Sequence, residues 1–134
     1  MDKIVLFVCV HNSGRSQMAE AFFNRMAKGA AHAISAGTQP ADKINPMVVQ
    51  VMREEGLDIS QNKPKLLTMD MVKKADKMIT MGCGDEAGAL CPAGFIETED
   101  WALEDPKGKT ITEVRKIRDE IRKRVNDLLL TIIS

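Results

Sequence analysis

Along the chain, the first patterned stretch is Lys3–Cys9 (KIVLFVC), an almost unbroken apolar run rich in β-branched residues. It lacks the polar alternation of a half-exposed strand, so it predicts a strand covered on both faces, as in a parallel sheet. After polar His11-Asn12-Ser13 the period changes. Met18, Ala19, Phe22, Phe23 and Met26 recur at helical spacing and predict a helix over 15–28. A short second strand is expected at 33–35, ended by Ala36-Gly37-Thr38, then a helix over 44–55 with Pro46 in its first turn and Gly56 as its stop. A short helix at 69–75 precedes a third strand at 77–81, and a fourth is expected near 94–98. Over 112–130, Val114, Ile117, Ile121, Val125 and Leu128 fall three and four apart, marking a strongly amphipathic helix. Strands alternating with helices imply an α/β fold with a parallel sheet covered on both faces.

Composition narrows the possibilities. The 134 residues fit one domain, 1–134, and 44% hydrophobic with 28% charged residues is ordinary for a globular chain. Lys+Arg and Asp+Glu both number 19, which argues against nucleic acid or an anionic membrane as the main partner. Any bound anion must be held by local geometry. No segment approaches the ~20 apolar residues of a membrane span, and residues 4–10 are too short and wrongly flanked for a signal peptide. A cytoplasmic setting is expected. There, three cysteines point to thiol chemistry sooner than to structural disulfides.

The stretch Cys9-Val10-His11-Asn12-Ser13-Gly14-Arg15-Ser16 sits between a buried strand and a helix start. This is the strand end where α/β sheets bind ligands. A turn curled there aims the backbone N–H groups of Val10, His11, Asn12, Ser13, Gly14 and Arg15 at a tetrahedral oxyanion, and the Arg15 guanidinium can clamp the same group. Asn12 and Gly14 are residue types that tolerate the positive φ of such a curl. The same donors favour a thiolate, and a cysteine at a helix N-terminus beside arginine can titrate at ~3.5–7.5. Ser16 can donate a further hydrogen bond. Cys9 is thus a candidate nucleophile; the alternative is a small buried hydrophobe closing a strand.

Cys-x5-Arg-Ser followed by Gln17-Met18-Ala19-Glu20 resembles the low-molecular-weight tyrosine phosphatase family and, within it, the thiol-coupled arsenate reductases. The likeness extends through Ser35-Ala36-Gly37-Thr38, Gly56-Leu57-Asp58-Ile59-Ser60, Pro64-Lys65, Cys83, Cys91, Asp105-Pro106 and Gly108. The resemblance implies a four-stranded parallel sheet with helices on both faces. It also implies that Asp105, which by spacing alone could simply start a turn at Pro106, is a general acid. Asp100 and Glu104 are rivals for that role.

By the same resemblance, arsenate bonded to Cys9 is reduced when Cys83 attacks, and Cys91 then resolves the Cys9–Cys83 disulfide. An external thiol reductant, thioredoxin or an equivalent, restores the thiols, and no bound cofactor is implied. If residues 84–90 are helical, Cys83 and Cys91 stand about 12 Å apart, whereas a disulfide needs roughly 4.4–6.8 Å. Residues 83–93 are therefore expected to loop out on oxidation. Read without the resemblance, the two cysteines are unconnected thiols, or zinc ligands with Cys9 and His11, although no Cys-x2-Cys knuckle is present. No metal is expected. Some relatives hold potassium with residues matching Asn12, Glu20 and Ser35 plus an acidic group near position 65. Lys65 implies that an ammonium takes the ion's place.

His11 is expected to lend backbone N–H, His32 to be an ordinary strand-edge residue, and the stripe Arg115, Lys116, Arg118, Arg122, Lys123, Arg124 to be the wet face of the last helix. The alternative function is phosphomonoester hydrolysis, with Cys83 and Cys91 incidental. Five aromatics, Phe7, Phe22, Phe23, Phe95 and Trp101, are few for a deep aryl pocket beside a core. An anion-binding redox sensor is a third reading, one with no use for Asp105.

Overall fold

The apolar run forms β1 (Lys3–Cys9), the strand around which the sheet is built. The computed structural model describes residues 3–81 and 98–133. Cys83, Cys91, Phe95, the 83–93 segment and the predicted strand positions 94–97 lie outside the described residues. β1 pairs in parallel with β2 (Ala31–Gly37) on one side and β3 (Lys77–Thr80) on the other, and β3 pairs in parallel with β4 (Thr98–Asp100). Among the described residues the sheet therefore has four parallel strands, in the order β2-β1-β3-β4.

Successive β1 side chains alternate between two cores, as a doubly covered strand must. Val5, Phe7 and Cys9 face α1 (Arg15–Ala27), α2 (Pro46–Arg53) and the last helix, α4 (Ile111–Ile133). Leu6 and Val8 lie in a second core with Val72 of α3 (Met69–Lys74), its C-cap Ala75 and Met78 of β3. The larger core stacks Phe7 edge-on to Phe23 at 5.9 Å and tilted on Trp101 at 5.6 Å. Val114, Ile117, Ile121, Val125 and Leu128 are all buried, as the helical period predicts.

Boundaries differ where tertiary pairing or caps decide them. β2 runs from Ala31 to Gly37 because each of its residues pairs in register with β1, including small residues of low strand propensity. Pro46 disfavours a helical Asn45; Asn45 instead caps α2, its side chain accepting from Met47 N at 2.9 Å. α4 starts at Ile111 because Thr110 and Glu113 form a reciprocal capping box. The fourth strand, expected near 94–98, is described over Thr98–Asp100, with Glu99 and Asp100 paired with Ile79 and Thr80. The basic stripe is not simply a wet face. Arg118 is buried and donates to Val51 O and Glu54, while Arg115 joins Glu54 and Arg122 joins Glu55, clamping α4 to α2. Among the described residues no helix is long and apolar enough to cross a membrane.

Candidate active site

β1 delivers Cys9 to the carboxyl edge of the sheet, and the chain curls through residues 10–14 before α1 begins at Arg15. Asn12 takes φ +50°, which its short polar side chain tolerates. The segment after β2 fixes the curl from outside. Thr38 N donates to Cys9 O, Gln39 N to Val10 O, Ala41 N to His11 O and Asn45 N to Ser13 O. In a trans peptide the N–H points opposite the C=O. Holding those four carbonyls outward turns the amides of Val10, His11, Asn12 and Gly14 inward, which makes an anion nest. Gly37 permits this closeness, since a Cβ there would lie 2.6 Å from Val10 O and 2.9 Å from Asn12 N.

Cys9 Sγ, almost fully buried, lies 2.8 Å from Ser16 Oγ and accepts from Asn12 N at 3.2 Å. Ser16 Oγ also accepts from Asn12 Nδ2 at 2.7 Å, so its own proton is free to point at the sulfur. Against a thiolate it must. Behind this pair lies a closed polar network with no exposed member among Asn12, Ser16, Gln17 and Ser35. Asn12 Nδ2 donates to Ser35 Oγ at 3.1 Å, and its Oδ1 accepts from Gln17 Nε2 at 3.0 Å and Lys65 N at 2.9 Å. Gln17 reaches on to Lys63 O, and its Oε1 accepts from Asn62 Nδ2.

Arg15 is buried, and its Nη1 donates to Met81 O at 2.5 Å and Leu103 O at 3.0 Å. One arm of the expected clamp is thus spent on two carbonyls, one just after β3 and one in the chain that follows β4. Nη2 stands 3.8 Å from Asp105 Oδ2. Of the three acidic candidates only Asp105 reaches this place. Asp100 accepts from the Thr80 hydroxyl, and Glu104 pairs with Lys109 at the surface. Asp105 Oδ1 accepts from Lys107 N at 3.0 Å, which fixes the turn around Pro106. His11 uses its imidazole as well as its backbone, Nδ1 meeting Gln39 O at 3.0 Å. His32 is an exposed residue of β2.

The oxygens matched to a potassium site are already engaged. Asn12 Oδ1 accepts two N–H groups, Ser35 Oγ accepts one, and Glu20 faces the Lys65 ammonium at 3.7 Å. Among the described residues no group of three His, Cys, Asp or Glu side chains is placed to hold a metal.

Sequence reasoning passed over Gln17 as a network member and Gly37 as the point of close approach. Polar Gln17 beside apolar Met18 at the start of a core-facing helix was the available signal for the first. Gly37 carried none, because the atoms it would strike belong to a distant loop.

The family model described as low molecular weight phosphotyrosine protein phosphatase matches residues 4–133. The chain is 41% identical over 127 residues to a putative arsenate reductase of Halobacterium salinarum, covering 91% of this chain and 87% of that protein. Among solved structures, the thioredoxin-dependent arsenate reductase Cg_ArsC1' of Corynebacterium glutamicum superposes with a TM-score of 0.81 at 39% identity; the match covers 98% of this chain and 62% of that longer one. An arsenate reductase in the phosphate binding state superposes with a TM-score of 0.86 at 34% identity, over 98% of this chain and 99% of its own.

Proposed function

The chain belongs to the low molecular weight phosphotyrosine protein phosphatase family, and from that premise we propose that it reduces arsenate to arsenite through a relay of Cys9, Cys83 and Cys91. The supporting observation is a buried sulfur with two donors, 2.8 and 3.2 Å away, beneath an inward-facing amide curl and beside Arg15. The backbone N–H groups of residues 10–15, of which those of Val10, His11, Asn12 and Gly14 are turned inward by their anchored carbonyls, and the Arg15 guanidinium hold the oxyanion. Cys9 thiolate attacks arsenic, an S–As bond forms, and one As–O bond breaks. Asp105 donates a proton to the departing oxygen, which leaves as water. Cys83 thiolate then attacks Cys9 sulfur. The S–As electron pair passes to arsenic, As(V) becomes As(III), arsenite leaves, and a Cys9–Cys83 disulfide remains. Cys91 attacks Cys83, freeing Cys9, and an external dithiol of the thioredoxin type reduces Cys83–Cys91. Lys65 supplies the positive charge beside Glu20, so no potassium is required.

Phosphomonoester hydrolysis would use the same thiolate and acid but no second thiol. The buried positions of Phe7, Phe22, Phe23 and Trp101 leave them filling the core instead of walling an aryl pocket, which favours the small inorganic substrate. The test is arsenite release by wild type, Cys83→Ser and Cys91→Ser with thioredoxin and its reductase present. Wild type should turn over. Cys91→Ser should release no more than one arsenite per molecule, and Cys83→Ser almost none. Full arsenite turnover by both variants would remove Cys83 and Cys91 from the relay, and no arsenite from wild type together with brisk aryl phosphate hydrolysis would hand the site to the phosphatase reading.

A further inference from the structure

Gly14 closes the anion curl and stands at the N-cap of α1, where an oxygen-bearing side chain usually accepts from the first helical amides. Here no side chain caps the helix. The space a side chain would take is filled from another part of the chain. A Cβ on Gly14 would lie 2.7 Å from Pro106 Cγ, 3.5 Å from Pro106 Cδ and 3.6 Å from Val48 Cγ2. The first distance is closer than side-chain carbons pack. The buried Pro106 ring is seated directly on the anion loop, at the one residue of the loop that has no Cβ to hold it off.

Pro106 cannot move by itself. Its φ is fixed by its ring, Asp105 Oδ1 accepts from Lys107 N, Lys109 N donates to Pro106 O at 3.2 Å, and Gly108 turns the chain at φ +75°. Residues 105–109 thus form one small tied turn, and whatever sets the height of Pro106 sets that of Asp105. At the observed height Asp105 Oδ2 stands 3.8 Å from Arg15 Nη2, at the mouth of the curl.

We infer that Gly14 is a positioning residue for the acid: the missing Cβ lets the Pro106 ring settle on the anion loop and thereby sets the reach of Asp105 to the departing oxygen. This rests on the proposed role of Asp105. The contact works across the site, joining the loop that holds the anion to the turn that protonates it. Adding one methyl at position 14 must lift the turn by several tenths of an ångström. The inward amides, whose carbonyls are anchored by residues 38–45 on the other side, stay where they are.

The test combines Gly14→Ala, Asp105→Asn and the double variant, reading single-turnover arsenite release and, separately, the dissociation constant of inorganic phosphate. Gly14→Ala should slow release about tenfold, as expected for a displaced acid, with phosphate affinity changed by less than about twofold. In the Asp105→Asn background the same substitution should add nothing. Should Gly14→Ala fail to fold, Pro106→Ala approaches the contact from the other side, and it too should slow release without weakening phosphate and without adding to Asp105→Asn. An equal loss on top of Asp105→Asn, or a loss of phosphate affinity matching the loss of rate, would make Gly14 a requirement of the loop and overturn the inference while leaving the acid in place. Wild-type release by Asp105→Asn alone would remove the acid itself, and the inference with it.

Discussion

Two regions of this molecule are dense in polar partners, and they are built on opposite terms. At the carboxyl end of β1, Asn12, Ser16, Gln17 and Ser35 are fully buried and bond to one another and to the chain at 62–65. At the seam between α2 and α4, Glu54 accepts from Arg115 and Arg118, and Arg122 meets Glu55, with most of these groups partly in water. The bonds are as short at the seam as at the loop. What differs is what replaces a lost partner. At the seam water takes its place, and such pairs contribute little, about 0–1 kcal/mol. In the loop each orphaned donor or acceptor costs roughly 1–3 kcal/mol. The geometry a thiolate needs is therefore held where errors are expensive, and the clamp that only joins two helices lies where they are cheap.

The sharpest way to break this contrast is Asn12→Ala. It strips partners from Ser16, Ser35, Gln17 Nε2 and Lys65 N together, and it puts alanine at φ +50°. Stability should fall by about 3 kcal/mol. Arsenite release should drop roughly a hundredfold, because Ser16 is no longer aimed at Cys9. Thermal melting and single-turnover kinetics check both. A variant with the wild-type melt and rate would mean that the network is decoration.

That network also marks the limit of what was legible in the sequence. Periodicity located β1 and α4 well, because burial of Val5–Val8 and of the Val114-to-Leu128 stripe is decided locally by the pattern itself. The spacing of Cys9, Arg15 and Ser16 marked the loop as a candidate, since strand, loop and helix follow one another along the chain. Long-range pairing was not legible. Nothing near residues 38–45 announces that their amides grip the carbonyls of Cys9, Val10, His11 and Ser13. Nor does residue 118 announce that an arginine in a charged stripe is buried against Val51 O. For the same reason spacing alone leaves Asp105 a turn residue, and its 3.8 Å approach to Arg15 belongs to the long-range arrangement.

Lys65 lies between the two regions: its backbone belongs to the closed network, while its ammonium meets Glu20 near the surface. The contrast predicts that only the backbone half carries weight. Lys65→Met should keep the fold and cost no more than about 1 kcal/mol. Wild-type turnover should be the same in potassium and sodium chloride, because the oxygens that could hold an ion are already engaged. Steady-state rates in matched salts decide it, and wild-type turnover that rises with potassium alone would reverse the assignment.

The smallest effect expected is at the seam. Hydrogen bonds from Arg115 and Arg118 hold the Glu54 carboxyl down from 4.5 to about 2. A carboxylate whose folded value is depressed stabilises the fold fully above the unfolded value and loses that contribution as pH falls toward the folded one. The clamp should thus act in full above about pH 4.5 and fade between there and pH 2. Asp58 and Glu113 are lowered too, by hydrogen bonds from Ser60 and Thr110, so the raw pH dependence of melting belongs to several groups. The difference between wild type and Glu54→Gln isolates one of them. It should be no more than about 3 °C near neutrality, because the pair is exposed, and should shrink steadily below pH 4.5, leaving only a small remainder at pH 2. A difference that held constant across that range would mean that Glu54 contributes through packing of its stem, with the charge irrelevant.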